Sequence, residues 1–333
     1  MGVEKIRVSI GSASVLGLYS GANFKDLSTT CYLMTYKQGR CTANCGFCPQ
    51  ARSAKSSLEL LSRVTWPLYD FKEVVTKLTY LPPKKKFKRI CIQTLNYKES
   101  FEDLVYIVTQ IRQKSDIPIS IAIPPFSIES LKELKRIGVE RVGIALDAST
   151  KEIFESVKGE NVKNTYRWEN HFENLEKALT IFSKGKVSTH LIIGLGENSE
   201  DVIKLIKKLN DMSVTVGLFS FTPIKGTKLE NNNPPELIRF RKIQLGLYLI
   251  SKENRNLSDF TFNLKGEIVR FNLYKLDLLR IIQNSDVFLT TGCPGCNRPY
   301  YTSRPSGSIY NFPRKITQEE SKIIYESLIK YVN

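Results

Sequence analysis

Eight short β-rich runs, separated by segments whose apolar residues recur every three or four positions, leave few folds open to this chain. The runs are Thr29 to Tyr36, Arg89 to Leu95, Pro118 to Ile123, Arg141 to Asp147, Val187 to Gly194, Thr215 to Phe221, Asp259 to Leu264 and Asp286 to Thr290. Between them lie amphipathic stretches such as Ser100 to Gln113, Ser127 to Gly138 and Ser199 to Met212, each opening on a serine that can cap a helix. Strands alternating with helices predict an α/β fold with a parallel sheet, and eight such units predict a (β/α)8-type barrel, complete or partly open. A single domain over residues 1–333 is expected, with its core at about 25–295 and an irregular, cysteine-bearing C-terminal segment ending in a helix.

The Pro-, Asn- and Lys-rich stretch Thr222 to Leu237 reads as a long loop above the sixth strand, at the end where such barrels carry function. No run approaches about 18 uninterrupted apolar residues, and the first residues lack a basic stretch followed by an apolar core, so a cytoplasmic protein without a membrane span is expected. The net charge of +16 reads first as a Lys-rich solvated surface, as in Lys84 to Arg89, and second as attraction for an acidic protein or an anionic small molecule. Nucleic acid is not favoured, because no basic stripe is interleaved with aromatic residues.

Seven cysteines fall into the spacings C-x3-C-x2-C (Cys41, Cys45, Cys48) and C-x2-C (Cys293, Cys296), which suit metal ligation better than a disulfide framework. Four sulfurs would complete a zinc tetrahedron or a closed cluster. Three on one short loop can hold three irons of a [4Fe–4S] cube and leave the fourth iron open to something that is not protein. A zinc site completed by a remote residue is the alternative, although zinc loops favour paired C-x2-4-C units. The loop follows the first strand, which puts it at the barrel mouth.

With Phe47 ahead of the last cysteine, the pattern C-x3-C-x-aromatic-C resembles the signature of the radical S-adenosylmethionine (SAM) superfamily. That resemblance implies a [4Fe–4S] cluster on Cys41, Cys45 and Cys48 whose unique iron chelates SAM. It further implies that an electron, from a donor such as ferredoxin, cleaves SAM to methionine and a 5′-deoxyadenosyl radical. Gly194, Gly196 and Glu197, after the fifth strand, resemble the adenine-contacting element of these enzymes, since glycines allow close approach of a planar ligand. Asp147, ending the fourth strand, is suited to accept hydrogen bonds from ribose hydroxyls or, alternatively, to cap a helix beginning near Ser149.

The sequence "CPQAR" after Cys48 and the stretch Lys186 to Glu197 resemble biotin synthase, over about residues 25 to 295. That resemblance implies a second, sulfur-donating cluster, held in biotin synthase by three barrel cysteines and an arginine. Here Cys91 matches one cysteine, Ser188 stands at another, the third lies near Ser120 to Ala122, and Asn263 stands about where the arginine would be. Cys293 and Cys296 offer replacements, with Cys91 and a hydroxyl such as Ser303, for an auxiliary cluster. Alternatively, Cys293 and Cys296 form half a zinc site or a structural turn, and Cys91 is a small buried hydrophobe. Cys31 is expected in the core. His171 and His190 are too few for a histidine metal site; His190 is placed to face the barrel interior or to take a hydrogen-bonded structural role.

A biotin-synthase-like barrel with the C-terminal "GCPGCNRPYY" most resembles the archaeal-type two-component lipoyl synthase. The implied function is sulfur insertion into an octanoyl chain on an acidic lipoyl-carrier protein, alongside a second radical SAM subunit. The alternatives are a biotin synthase acting on dethiobiotin, a radical SAM enzyme modifying tRNA, and a non-catalytic iron–sulfur scaffold.

Overall fold

The computed structural model describes residues 2–21, 24–284, 286–303 and 306–333. One mixed sheet dominates it. Strands β1 (Lys5–Val8), β2 (Thr30–Met34), β3 (Leu60–Leu61), β4 (Val64–Thr65), β5 (Leu68–Asp70), β6 (Arg89–Gln93), β7 (Ile119–Ile123), β8 (Val139–Ile144), β9 (Val187–Ile193) and β10 (Thr215–Ser220) precede a hairpin of β11 (Phe260–Phe262) and β12 (Ile268–Phe271). The large sheet runs β10-β9-β8-β7-β6-β2-β1-β5. Its run from β2 to β10 is parallel, while β1 pairs antiparallel with both β2 and β5. The barrel is therefore partly open, since β10 and β5 are its unjoined edges.

Helices α1 (Ile10–Leu16), α2 (Phe71–Thr79), α3 (Ser100–Arg112), α4 (Ile128–Arg136), α5 (Lys151–Val157), α6 (Trp168–Ile181), α7 (Ser199–Asp211), α8 (Leu237–Glu253), α9 (Lys275–Asn284) and α10 (Gln318–Leu328) cover the outside. Side-chain caps fix several starts: Ser127 accepts from Ser130 N, Thr150 from Ile153 N, and Asn198 from Asp201 N. The period-2 alternation of the strands sorts the chemistry. Cys31, Leu33, Ile90 and Ile92 point outward into the main apolar core, whereas Thr30, Tyr32, Arg89, Cys91 and Gln93 line the barrel interior.

Two expected barrel strands lie elsewhere. Residues 260–262 pair with 268–271 in a separate hairpin because Asn263 and Gly266, the latter at φ +73°, turn the chain back. Residues 286–290 contribute a single bridge, Leu289 to Phe312, because Gly292, Pro294 and Gly295 follow at once. Their places in the sheet are taken by β1 and β5, too short to stand out in the sequence. The Lys84 to Lys86 run is an exposed turn. No helix among the described residues is long and apolar enough to cross a membrane.

Candidate active site

The barrel interior encloses a cavity of about 200 Å³. Apolar walls come from Phe47, Leu61, Trp66, Ile192, Phe219 and Phe221, and four of the seven cysteines reach its lining or its edge together with Asp147 and His190. Cys48 lies toward the mouth; Cys91, Cys293 and Cys296 lie deeper.

The loop after β2 carries Cys41, Cys45 and Cys48 close enough for each thiol to act on the charge of the others. Every one of these sulfurs meets an N–H donor. Asn96 N donates to Cys41 Sγ (3.2 Å), Asn164 Nδ2 to Cys45 Sγ (3.8 Å), and the amides of Gln50 and Ala51 to Cys48. Burial pushes the Cys48 thiol up to about 12 and Cys45 higher still, so bare thiolates are disfavoured there, and a bound cation would favour their ionised form. N–H donors converging on three half-buried cysteines fit a cluster. Among the described residues no three His, Cys, Asp or Glu side chains converge as ligands of one ion; thiolates of a cube bind separate irons and stand further apart.

Asp147, three residues beyond β8, sits in the left-handed region at φ +66°, where its backbone bridges to β9 through His190 O and Ile192 N. It caps no helix: α5 starts on Thr150. Its carboxylate instead meets Lys158 Nζ at 2.7 Å, with both side chains nearly buried. Lys158 was not legible as a site residue, since it is separated from Asp147 by a whole helix.

Gly194, Gly196 and Glu197 form the turn after β9, outside the cavity lining. Glu197 accepts from Gly194 N and Leu195 N, each at 2.8 Å, and pairs with Arg239 at 3.0 Å. Its carboxylate is thus spent on shaping the turn. Gly194 (φ +107°) is boxed in, with a Cβ there falling 2.8 Å from Pro235 Cδ, whereas Gly196 (φ +116°) faces open space. Gly194→Ala is expected to destabilise the fold by about 2–4 kcal/mol and Gly196→Ala by about 1–2 kcal/mol. Equal losses in urea unfolding would show that the crowding at Gly194 relaxes.

The second set of thiols is assembled from distant parts of the chain. Cys91 comes from β6, and Cys293 and Cys296 from a strap, the described residues of 287–312, that bridges the open side of the barrel. Leu218 N donates to Thr291 Oγ1 (2.8 Å) on the β10 side; Thr29 N donates to Asn297 Oδ1 (3.0 Å) on the β2 side. Gly295 O accepts from Thr29 and Thr30, and Pro294 O from Arg89 Nε. Thr29, Thr30 and Arg89 stand at the starts of β2 and β6, so the C-x2-C turn enters from the end opposite the cysteine loop.

Around these thiols, Gln93 Nε2 donates to Cys91 Sγ (3.1 Å), Ser120 Oγ to Cys293 Sγ (3.5 Å), and Tyr32 OH contacts Cys296 Sγ (3.2 Å). Ser120, opposite Cys91 in the sheet register, thus carries a hydrogen bond to a strap cysteine. Burial raises Cys91 and Cys296, while Arg298 pulls both back toward ionisation. Ser303 lies beyond the cavity lining; its Oγ accepts from Tyr310 N at 3.0 Å. Asn263 sits in the outer hairpin turn, and the guanidinium groups lining the cavity are those of Arg89 and Arg298. Arg89, Arg298 and Tyr32 escaped the sequence reading because only the strap's path brings them together.

His190 lines the cavity, edge-on to Phe219 at 4.9 Å, and burial lowers it to about 4. His171 is a core residue whose Nδ1 meets Arg167 O at 2.9 Å, lowered by burial to about 3. Both fall below the free imidazole near 6.5, so the unfolded chain protonates first. The stability they contribute is present above about pH 6.5 and is lost as pH falls toward 4 and below. Each adds a slope of about 1.4 kcal/mol per pH unit in that window. His171→Gln should flatten the stability profile below about pH 6.5 in urea titrations; a profile parallel to the parent's would contradict the assignment.

A barrel of this order with three cysteines on its first loop is what the radical SAM superfamily shares, and the superfamily's model matches residues 35–209. The chain belongs to that superfamily. Among curated proteins it is similar to the biotin synthase of Persephonella marina, 28% identical over 216 residues that cover 63% of this chain and 60% of that one. It is also similar to the biotin synthase of Aquifex aeolicus, 26% identical over 249 residues that cover 69% of each. The chain thus spans 60% of the length of the first of these relatives. Among solved structures its fold is similar to methylornithine synthase, with a TM-score of 0.50 at 16% identity over 73% of this chain and 67% of that one. The FeFe-hydrogenase maturase HydG from Carboxydothermus hydrogenoformans gives 0.50 at 17% identity over 72% and 54%. At these identities the structural likeness shows the fold.

Proposed function

We propose that this chain is a radical SAM enzyme that inserts sulfur into an unactivated carbon of an octanoyl chain carried by a protein, as a lipoyl synthase component. The observation that carries this reading is the assembly of Cys91, Cys293 and Cys296 along the same cavity that Cys48 enters from the mouth. When bound, a [4Fe–4S] cluster on Cys41, Cys45 and Cys48 would supply the 5′-deoxyadenosyl radical from SAM, and an auxiliary cluster on the deeper thiols would supply the sulfur. Asp147, oriented by Lys158, accepts hydrogen bonds from ribose hydroxyls, and the open space beside Gly196 admits the adenine against the backbone. Phe47, Leu61, Trp66, Ile192 and Phe221 exclude water and suit an alkyl chain.

The partners follow from that chemistry: an acidic octanoylated lipoyl-carrier protein, for which the +16 charge is complementary, a second radical SAM subunit and a reduced carrier such as ferredoxin. Sulfur insertion into dethiobiotin is the second reading, favoured by the similarity to biotin synthases. The absence of barrel thiols at Ser188 and near Ser120 to Ala122, with strap cysteines supplying new ones, favours the first. Anaerobic incubation of the reconstituted protein with SAM, reductant and either an octanoyl-lysine peptide or dethiobiotin discriminates them. Sulfur on the peptide supports the proposal; sulfur on dethiobiotin alone replaces it.

A further inference from the structure

We propose that Arg298 is the counter-charge of the deeper thiol set, a fixed cation that stabilises the more negative, reduced state of a cluster held by Cys91, Cys293 and Cys296. This rests on the reading that those thiols hold a cluster. The guanidinium lines the cavity, donates from Nη2 to Thr291 O (2.6 Å), and lies 3.8 Å over the ring of Phe219. It is near enough to Cys91, Cys296 and His190 to act on the charge of each.

Two features distinguish it from Arg89, Arg239 and Lys158. Arg89 meets Glu140, Arg239 meets Glu197, and Lys158 meets Asp147. Among the described residues no carboxylate pairs with Arg298. A half-buried cation without a fixed anion is costly unless something negative arrives beside it. Its backbone also sits at φ +35°, a conformation that a non-glycine residue holds at a cost. That conformation is held by its own N–H, which donates to Tyr32 OH at 2.8 Å, and the same hydroxyl touches Cys296 Sγ. The strap therefore fixes this cation and a thiol through one phenol.

Three thiolates around a cluster carry net negative charge, and each added electron deepens it. A cation fixed in a low-dielectric wall offsets that charge most in the reduced state. Removing it therefore disfavours reduction. Phe219 and Thr291 hold the guanidinium by stacking and by a carbonyl, so its role is positioning and electrostatic.

The test isolates the deeper cluster in full-length chain carrying Cys41→Ala, Cys45→Ala and Cys48→Ala, reconstituted with iron and sulfide. Its midpoint potential is measured by anaerobic titration followed by electron paramagnetic resonance. Arg298→Met is expected to lower the reduced-to-oxidised ratio at least tenfold at the parent's midpoint, a downward shift of about 59 mV or more for one electron. Arg298→Lys, which keeps the charge, should stay near the parent. Loss of iron from the Met variant with retention in the Lys variant likewise supports the proposal. An unchanged potential in the Met variant, equal shifts in both, or loss of iron from both overturns it. No iron bound by the triple-alanine parent itself overturns the deeper cluster and this inference together.

Discussion

Replacing Cys41, Cys45 and Cys48 with alanine is expected to remove about four iron per chain and to bring 5′-deoxyadenosine formation from SAM down to the reagent background. The argument is local. The three sulfurs share one loop, each receives an N–H, and burial disfavours ionisation of Cys45 and Cys48 unless a cluster is present. Alanine leaves the loop's backbone contacts in place, including Cys48 N to Cys45 O and Gly46 N to Val157 O, so the fold should survive. A circular dichroism spectrum like the parent's, with iron and cleavage both lost, is the expected pair of results. Undiminished cleavage would remove the loop from the chemistry.

The second large effect is expected at the strap. Cys293→Ala and Cys296→Ala should each keep the first cluster and SAM cleavage, lose about four iron, and leave an octanoyl peptide without sulfur. Cys91→Ala should follow them, because its thiol faces the same cavity as theirs. The strap itself should stay docked, since Arg241 clamps it from α8 by donating to Tyr310 O (2.5 Å) between the rings of Phe288 and Phe312. Iron unchanged in both C-terminal variants, or zinc found there by elemental analysis, would leave a radical SAM protein without the proposed sulfur source.

What could be read from the chain and what could not divides along physical lines. The first six expected strands, Thr29 to Tyr36 through Thr215 to Phe221, correspond to β2, β6, β7, β8, β9 and β10, because strands buried on both faces advertise themselves as apolar runs between capped helices. The seventh and eighth did not follow. The turn signal at Asn263 to Gly266 outweighs the apolar run around it, and β1 and β5 owe their places to pairing with strands already formed. In the site, the cysteine loop was legible because its three thiols are neighbours in sequence. Lys158, Arg89, Tyr32 and Arg298 were not, since their roles arise only when β6, β8 and the strap come together in space. The hydrogen bonds by which Glu197 shapes the turn of its two neighbouring glycines were likewise not legible from the chain.

The central claim is that sulfur travels from the deeper thiol-bound cluster to the substrate carbon. It is tested most directly by reconstituting the protein with sulfide of a heavy sulfur isotope, removing unbound sulfide, and allowing a single turnover with an octanoyl-lysine peptide, SAM and reductant. Mass spectrometry of the peptide should show the heavy isotope in the parent protein and no sulfur in the Cys293→Ala and Cys296→Ala variants. A product carrying only light sulfur, or heavy sulfur appearing equally in those variants, would contradict the account.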